Sequence, residues 1–121
     1  MLRRAAIEWH GVRLGCPDWA DDSHSIACTV RPSAVVVPLW LHLICNAYWE
    51  PLDFDLPAVP EQAESGWRRW IDTARRSPED IVDPVVAPLV AERQYHVMPR
   101  SFVALILVIG SGSNFTVDAD A

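Results

Sequence analysis

Runs of apolar and β-branched residues dominate the middle of the chain and predict β-strands. Ser25 to Val30 and Ala34 to Cys45 are two such runs, and the polar Arg-Pro-Ser loop between them predicts a hairpin. Proline cannot donate a hydrogen bond to a ladder, so the regular part of the second strand is expected to begin after Pro38. The stretch WRRWID, residues 67–72, alternates apolar with charged positions and predicts a half-buried strand.

The last third of the chain predicts two further strands. Tyr95 to Met98 and Phe102 to Ile109 are joined by the corner Pro-Arg-Ser, and the second run is apolar on both faces. Such a strand lies mid-sheet with both faces covered, or packs one face on another domain. Helix signals are confined to residues 77–80, Ser-Pro-Glu-Asp, and residues 87–94. The sequence therefore predicts an all-β protein, an antiparallel two-sheet β-sandwich with at most one or two short helical turns.

The length and composition predict one domain followed by a tail. A chain of 121 residues suffices for one core. No internal repeat or linker divides it, so residues 1–109 are expected to form a single β-sandwich domain. From Gly110 the composition turns to glycine, serine and aspartate, which predicts a flexible C-terminal tail over residues 110–121.

Charge and composition argue against several classes of partner. The formal net charge is −6, and a nucleic-acid partner requires a net basic surface, so none is expected. No apolar run is long enough to cross a bilayer as a helix, and the N-terminus does not resemble a secretory signal, so we expect a cytoplasmic protein without membrane partners. The cysteines lack the spacing of zinc or redox sites, and we expect no metal and no cofactor. They are interpreted as buried free thiols: Cys16, Cys28 and Cys45.

The loop from Pro17 to Ser25 has residue types found in two kinds of site. Its tetrapeptide at 21–24, Asp-Asp-Ser-His, has the components of a Ser-His-Asp triad, but triads are assembled from separate segments of a chain. Asp18 and the two aspartates at 21 and 22 offer oxygen ligands for calcium, without the glycine and bidentate glutamate of an EF-hand. The structural alternative is a polar loop held by local hydrogen bonds, with Trp19 tucked beneath it.

The remaining histidines and carboxylates give no convincing catalytic site. Glu50 with Asp53 or Asp55 would supply the paired carboxylates of a glycoside hydrolase, but two strand-borne acids beside a proline corner do not form a cleft. His42, within an apolar run, is expected on the less buried face of its strand. None of the histidines shows the spacing of a metal-ligand pair, and all are interpreted as structural or surface residues: His10, His24, His42 and His96.

Six tryptophans are many for so short a chain. Most are expected in the core or in a contact with another domain. The alternative is a sugar-stacking platform, in which an exposed tryptophan lies beside carboxylates that accept hydrogen bonds from hydroxyl groups. The candidate sugar-contact residues are Trp19, Trp49, Glu50 and Asp18.

Six segments, taken in order, resemble the C-terminal β-domain of bacterial glycogen debranching enzymes and isoamylases, α-amylase-like glycoside hydrolases that cut α-1,6 branch points. They are WHGVRLGCPDW, SHSIACTV, LICNAYWEPLDFDLP, WRRWIDT, SPEDI and YHVMPRSFVALI. The resemblance runs from about Ile7 to Ile109 and implies a two-sheet antiparallel sandwich, with two strands meeting at Glu50-Pro51. In that family the catalytic acids lie in an attached (β/α)8 barrel. No segment here corresponds to the barrel, so the resemblance implies that this chain does not hydrolyse glycosidic bonds alone.

Three hypotheses follow for function. The first is a non-catalytic accessory domain of α-glucan debranching, which leaves an apolar surface of several hundred Å² for a separately encoded catalytic barrel or for a second copy of the chain. The second is an independent α-glucan-binding module that uses Trp19 and Trp49 as its stacking surface. The third is a remnant or truncated fragment with no separate role. The module requires at least two aromatic faces exposed on one side, whereas the accessory domain buries them.

Overall fold

The computed structural model describes residues 6–32 and 38–109. Within these residues the chain forms seven β-strands and one 3-10 turn. The strands are β1 (Ala6–His10), β2 (Ser25–Arg31), β3 (Leu39–Asn46), β4 (Leu52–Asp55), β5 (Arg68–Asp72), β6 (Gln94–Val97) and β7 (Ser101–Val108), and the 3-10 turn spans Pro84–Val86. No helix in the described ranges has the length and hydropathy needed to cross a bilayer.

The strands form two antiparallel sheets, which confirms the predicted all-β sandwich. The large sheet has five strands in the order β1-β2-β3-β7-β5, and the small sheet pairs β4 with β6. β2 and β3 form the predicted hairpin, with regular pairing after Pro38. β7 lies between β3 and β5, mid-sheet, as its continuous apolar sequence predicted. The predicted tail at 110–121 lies outside the described residues, and the single-domain boundary stays a prediction.

The core lies between the two sheets. Phe54 of β4 and Val97 of β6 are fully buried, because alternate residues of the small sheet point toward the large one. They meet the alternating apolar residues of the two central strands of the large sheet, which include Ile44, Val103 and Leu105. The two sheets are therefore held together mainly by apolar burial.

A segment without regular strand geometry covers the free edge of β5. Residues 80–90 run beside β5, with Val82 N–H donating to the Trp70 carbonyl at 3.0 Å and Arg69 N–H donating to the Pro88 carbonyl at 2.8 Å. The helical turns predicted at 77–80 and 87–94 were wrong. Residues 77–80 form a non-helical turn that leads to the edge of β5, and residues 87–94 run extended beside β5 before they enter β6 at Gln94. The one short helical turn within the described residues lies between the two predicted positions, at Pro84–Val86.

One face of the large sheet points away from the small sheet, and we call it the outer face. Cross-strand pairing defines its members on the four strands β1, β2, β3 and β7: Ile7, Trp9, Ile26, Cys28, Val30, Leu39, Leu41, Leu43, Cys45, Phe102, Ala104, Ile106 and Val108. Ala104 and Ile106 are buried by their neighbours. Exposure rises toward the ends and the edge, to 36% for Phe102, 46% for Trp9 and 53% for Ile7.

The cysteine prediction was correct about pairing and wrong about burial. All three thiols are free, but Cys16 and Cys45 are exposed and Cys28 is half-buried. Cys28 and Cys45 lie on the outer face, where exposed positions are apolar rather than polar. Cys28 and Cys45 are therefore accessible because their strand positions place them on the outer face. The residue type alone did not predict this accessibility.

Candidate functional site

Two loops meet at one end of the large sheet and hold all four candidate sugar-contact residues. The Trp19 loop, residues 11–24, leads from β1 to β2, and the corner, residues 47–51, leads from β3 in the large sheet to β4 in the small sheet. Ala47 N–H donates to the His24 carbonyl at 2.8 Å and joins the loops. The predicted turn at Glu50-Pro51 therefore connects the two layers of the sandwich.

Asn46 holds the corner in place from a fully buried position. Its Nδ2 lies 3.0 Å from the Glu50 carbonyl oxygen and 3.2 Å from those of Val97 and Met98, while its Oδ1 accepts from Tyr48 N–H at 2.9 Å. An amide that satisfies several backbone groups at once fixes both the corner and the end of β6. Sequence reasoning missed this role. The asparagine directly after an apolar strand was the available signal.

Trp19 lies on the outer-face side of this end. Its side chain is 63% exposed, so the expectation that it tucks beneath the loop was wrong. Its ring packs edge to face against Trp9, with centroids 5.7 Å apart. A recess of about 340 Å³ beside it is lined by outer-face residues Ile26 and Cys45 as well as Trp19 and Asp18. Trp19 thus continues the apolar outer face beyond the edge of the sheet.

Trp49 belongs to a separate group of rings, which we call the aromatic row. Trp49 is 62% exposed and stacks on Tyr48 at 4.2 Å between centroids, and the His24 ring lies 6.1 Å from Tyr48 and 6.3 Å from Trp49. A second recess, of about 310 Å³, is lined by His24, Tyr48, Asp18 and Leu52 among others. The two recesses share the wall formed by Asp18 and residues 23–25.

The four predicted residues therefore do not line a single recess. Trp19 faces the first recess and Trp49 belongs to the row beside the second. Asp18 borders both recesses, and its Oδ1 accepts from Ala20 N–H at 3.1 Å. Glu50 is exposed and borders neither recess, although its backbone carbonyl is bound to Asn46. His24 and Tyr48, which the sequence did not single out for this role, complete the aromatic surface around Trp49.

Several of the side chains considered for a Ser-His-Asp triad, for a pair of catalytic carboxylates or for a metal site have other partners in the structure. Ser23 Oγ donates to the Ser25 carbonyl at 3.3 Å, and the His24 ring packs against the aromatic row. Asp53 and Asp55 lie on the solvent side of the small sheet and bind the β6 residues His96 and Gln94, at 2.6 and 2.9 Å. Across the described residues, no group of three or more His, Cys, Asp or Glu side chains is arranged to hold a metal ion.

A buried hydrogen-bonded relay supports the base of the Trp19 loop. His10 Nε2 lies 2.9 Å from Thr29 Oγ1, which lies 3.0 Å from His42 Nδ1. Gly15 N–H donates to His10 Nδ1 at 2.7 Å and ties the loop to the relay. His42 is fully buried, so its expected position on the less buried face was wrong. The strand alternation around His42 places its side chain toward the small sheet, with Ile44 and the core.

Both relay histidines are held neutral by their surroundings. Burial, and then the proximity of His10, lowers the pKa of His42 from 6.5 to about 4. Burial also lowers the pKa of His10, although the Glu8 carboxylate opposes that effect. Because an imidazolium has no acceptor nitrogen, this bonding pattern requires the neutral forms.

Comparison with known proteins decides the family. The profile of the family described as Isoamylase 1-3, C-terminal, matches residues 8–106 of the 121 residues. The chain belongs to this isoamylase C-terminal domain family. No individual curated protein matches it significantly.

The extent of the family match bears on both candidate surfaces. The isoamylase C-terminal profile begins within β1 and ends within β7, so it includes most of the outer face and the whole aromatic row. It describes a C-terminal domain, and the match includes no catalytic barrel. The chain is therefore related to an accessory part of isoamylases.

Proposed function

We propose that this chain is a non-catalytic accessory domain of α-glucan debranching that docks through its outer face onto an isoamylase-type catalytic barrel. The observation that carries the proposal is the apolar outer face, which is partly exposed on four adjacent strands. The family supplies the occupant, because its description names the C-terminal part of an isoamylase.

The size of the outer face suits a protein contact. With strands about 4.8 Å apart and residues about 3.3 Å apart, its four strands span an area on the order of several hundred Å². The largest apolar patches on monomers reach a similar size and are often interaction sites. No charged residue occurs among its members on β1, β2, β3 or β7, which matches the depletion of charge at the centre of interfaces.

Neighbouring residues increase the docking area. Trp19 lies edge-on to Trp9 and borders the recess that also contains Ile26 and Cys45. A partner side chain inserted into this recess would be surrounded by apolar atoms. Buried aromatic anchors of this kind supply much of the binding energy of protein interfaces. We therefore assign Trp19 to the docking surface.

Binding to an isoamylase barrel expressed without its own C-terminal domain tests the proposal. Phe102→Arg puts a charge on the outer face, whereas His96→Arg puts one on the solvent side of the small sheet, where the His96 side chain is 60% exposed. We expect Phe102→Arg to weaken barrel binding by about tenfold or more and His96→Arg to leave it unchanged. Equal binding by the two variants would contradict docking through this face.

The oligomeric state of the isolated chain gives a second test. Without the barrel, the same apolar surface is expected to associate with another copy, so the mass measured by light scattering should rise with concentration. A monodisperse monomer over a wide concentration range, together with no barrel binding, would overturn the proposal. Self-association without barrel binding would assign the face to a homo-oligomer instead.

Cysteine labelling maps the face directly. In a Cys16→Ser variant, exposed Cys45 is the thiol expected to react fastest, because burial raises the pKa of Cys28 and reduces its thiolate fraction. We expect the barrel to protect Cys45 from a maleimide reagent. If a further Cys45→Ser change removes the barrel-dependent protection, the protected thiol is Cys45.

The aromatic row supports a second function, contact with α-glucan. Trp49, Tyr48 and His24 present adjacent rings at the surface, and Asp18 and Glu50 are exposed carboxylates on the same two loops. A sugar ring can lie on an aromatic face while its hydroxyl groups bind nearby acceptors. This contact would add glucan recognition to the accessory role, in the cytoplasm, where free thiols persist.

Titration with glycogen and linear maltooligosaccharides, followed by tryptophan fluorescence and affinity electrophoresis, tests this contact. We expect saturable binding that Trp49→Ala abolishes and Trp19→Ala retains. No binding at millimolar sugar would remove the glucan function and leave the docking function. Loss of binding in Trp19→Ala alone would move the platform to the first recess.

A further inference from the structure

We propose that the His10–Thr29–His42 relay is an acid-sensitive latch that holds the Trp19 loop against the outer face. The position of the latch follows from the free chain alone. Its effect on a partner rests on the proposed docking function.

The loop begins with a tight turn that leaves little freedom at its base. A Cβ added at Gly11 would lie 2.4 Å from the Cys16 carbonyl oxygen, and Gly15 has a φ of +72°, which favours glycine. Cys16 N–H donates to the Arg13 carbonyl at 3.3 Å and closes the turn. The His10 side chain binds this turn at Gly15, only four residues before Trp19. The imidazole therefore anchors the part of the loop that leads to the docking tryptophan.

The donor at one end fixes the proton positions along the relay. Because Gly15 N–H donates to His10 Nδ1, that nitrogen carries no proton and His10 Nε2 carries one. Nε2–H then donates to Thr29 Oγ1, and the Thr29 hydroxyl donates to His42 Nδ1. The ring proton of His42 is then on Nε2. This nitrogen is buried and has no hydrogen-bond partner, and the His42 ring lies near the Trp67 ring. The contact with Gly15 thus depends on neutral His10, whereas Nε2–H can donate to Thr29 in either protonation state of the ring.

The charges around His10 make it the first member to accept a proton. Glu8 Oε1 lies 4.0 Å from His10 Nε2 and stabilises a positive imidazole, while Arg31, bound to Glu8 at 3.0 Å, reduces that effect. His42, across Thr29 on β3, is more deeply buried and has no carboxylate among the groups that shift its pKa. A proton therefore reaches His10 before His42.

Protonation reverses the contact that anchors the loop. The incoming proton binds His10 Nδ1, the only free lone pair on that ring, so an N–H then faces the Gly15 N–H. Two donors cannot share a hydrogen bond, and one of them must move. The turn at Gly15 loses its anchor, and Trp19 loses the support that holds it beside Trp9. Acid therefore loosens the edge of the docking surface while the sheets remain paired.

An NMR titration of the free chain from about pH 7.5 to about pH 4.5 tests the latch without any partner. We expect His10 in the Nε2–H tautomer at neutral pH. We also expect the Gly15 amide, the Trp19 indole N–H and the His10 ring to titrate with one shared midpoint, below that of an exposed histidine.

The variant His10→Asn sharpens the test, because its side-chain oxygen offers Gly15 an acceptor that does not titrate. We expect the Trp19 signals of this variant to stay constant over the same pH range. A Gly15 amide that does not follow His10 in the wild type, or a proton on His10 Nδ1 at neutral pH, overturns the latch. Barrel binding then remains a separate measurement, since the docking surface can fail or succeed whatever the relay does.

Discussion

The outward-pointing surfaces of the two sheets differ in chemistry although both are made of strands. The solvent side of the small sheet has the polar alternation expected of a half-exposed sheet, with Asp53 bound to His96 and Asp55 bound to Gln94. The outer face of the large sheet is apolar over four strands and keeps exposed side chains such as Ile7 and Phe102. A polar surface and a partly exposed apolar surface are thus present on opposite sides of one small sandwich.

Removing a contact between the two sheets should lower the unfolding free energy more than any other change considered. Phe54→Ala empties a fully buried position of the small sheet, so we expect it to cost about 3–5 kcal/mol of unfolding free energy. Urea unfolding measures this cost. If the variant still folds at low temperature, its tendency to associate through the outer face should persist, because Phe54 lies on the opposite side of the large sheet. A loss below ~1 kcal/mol would mean that the small sheet contributes little to stability.

Acid should produce the next largest loss of stability. The unfolded His42 side chain protonates near pH 6.5, whereas the folded one protonates near 4. The unfolded state therefore binds protons first, and the stability present above pH 6.5 falls as the pH drops toward 4, by on the order of 3 kcal/mol. Thermal unfolding across this range measures the loss. His42→Gln should flatten the dependence, and an unchanged slope in that variant would assign the effect to other groups.

A polar substitution on the outer face should separate association from stability. Phe102 is 36% exposed, so we expect Phe102→Ser to lower the unfolding free energy by about 1–2 kcal/mol, less than a core truncation, while weakening self-association. Analytical ultracentrifugation reports the association, and denaturant unfolding reports the stability. A large loss of stability with unchanged association would identify Phe102 as a core residue and remove it from the docking surface.

The smallest effect is expected on the solvent side of the small sheet. Asp53→Asn removes the charge opposite His96, in a pair whose side chains are more than half exposed. Exposed ion pairs contribute little, so the change in unfolding free energy should be below ~0.5 kcal/mol. Association should not change. An effect on association as large as that of Phe102→Ser would remove the distinction between the two surfaces.

Local sequence patterns predicted most of the strands. They gave the wrong conformation where contacts with residues distant in the sequence determine it. The runs around Ser25–Val30 and Phe102–Ile109 predicted β2 and β7 because their apolar character follows directly from burial. β1 was missed, because Ala6–His10 has a burial pattern in which only His10 is enclosed. Residues 77–80 and 87–94 were assigned helix signals, but backbone pairing with distant strands, β5 and then β4, holds them in non-helical conformations.

The candidate site shows the same limit. The sugar-platform alternative required Trp19 and Trp49 to be exposed, and both are exposed, although most tryptophans were expected in the core or a domain contact. Their separation depends on the wall at residues 23–25, which forms only when the Trp19 loop and the corner meet. The position of His42 depends on Thr29 and His10, which belong to other strands. The sequence can show which side chains are available for a site, but their grouping is a property of the assembled sheets.

The two edges of the large sheet set an upper limit on assembly by strand addition. The segment at residues 80–90, with Pro84 and Pro88, occupies the edge of β5, and within the described residues β1 pairs only with β2. Each copy therefore behaves like a monofunctional monomer in polymer chemistry. Such a monomer can form one bond and then terminates the chain. Within the described residues, strand addition through the large sheet alone therefore ends at a pair of copies.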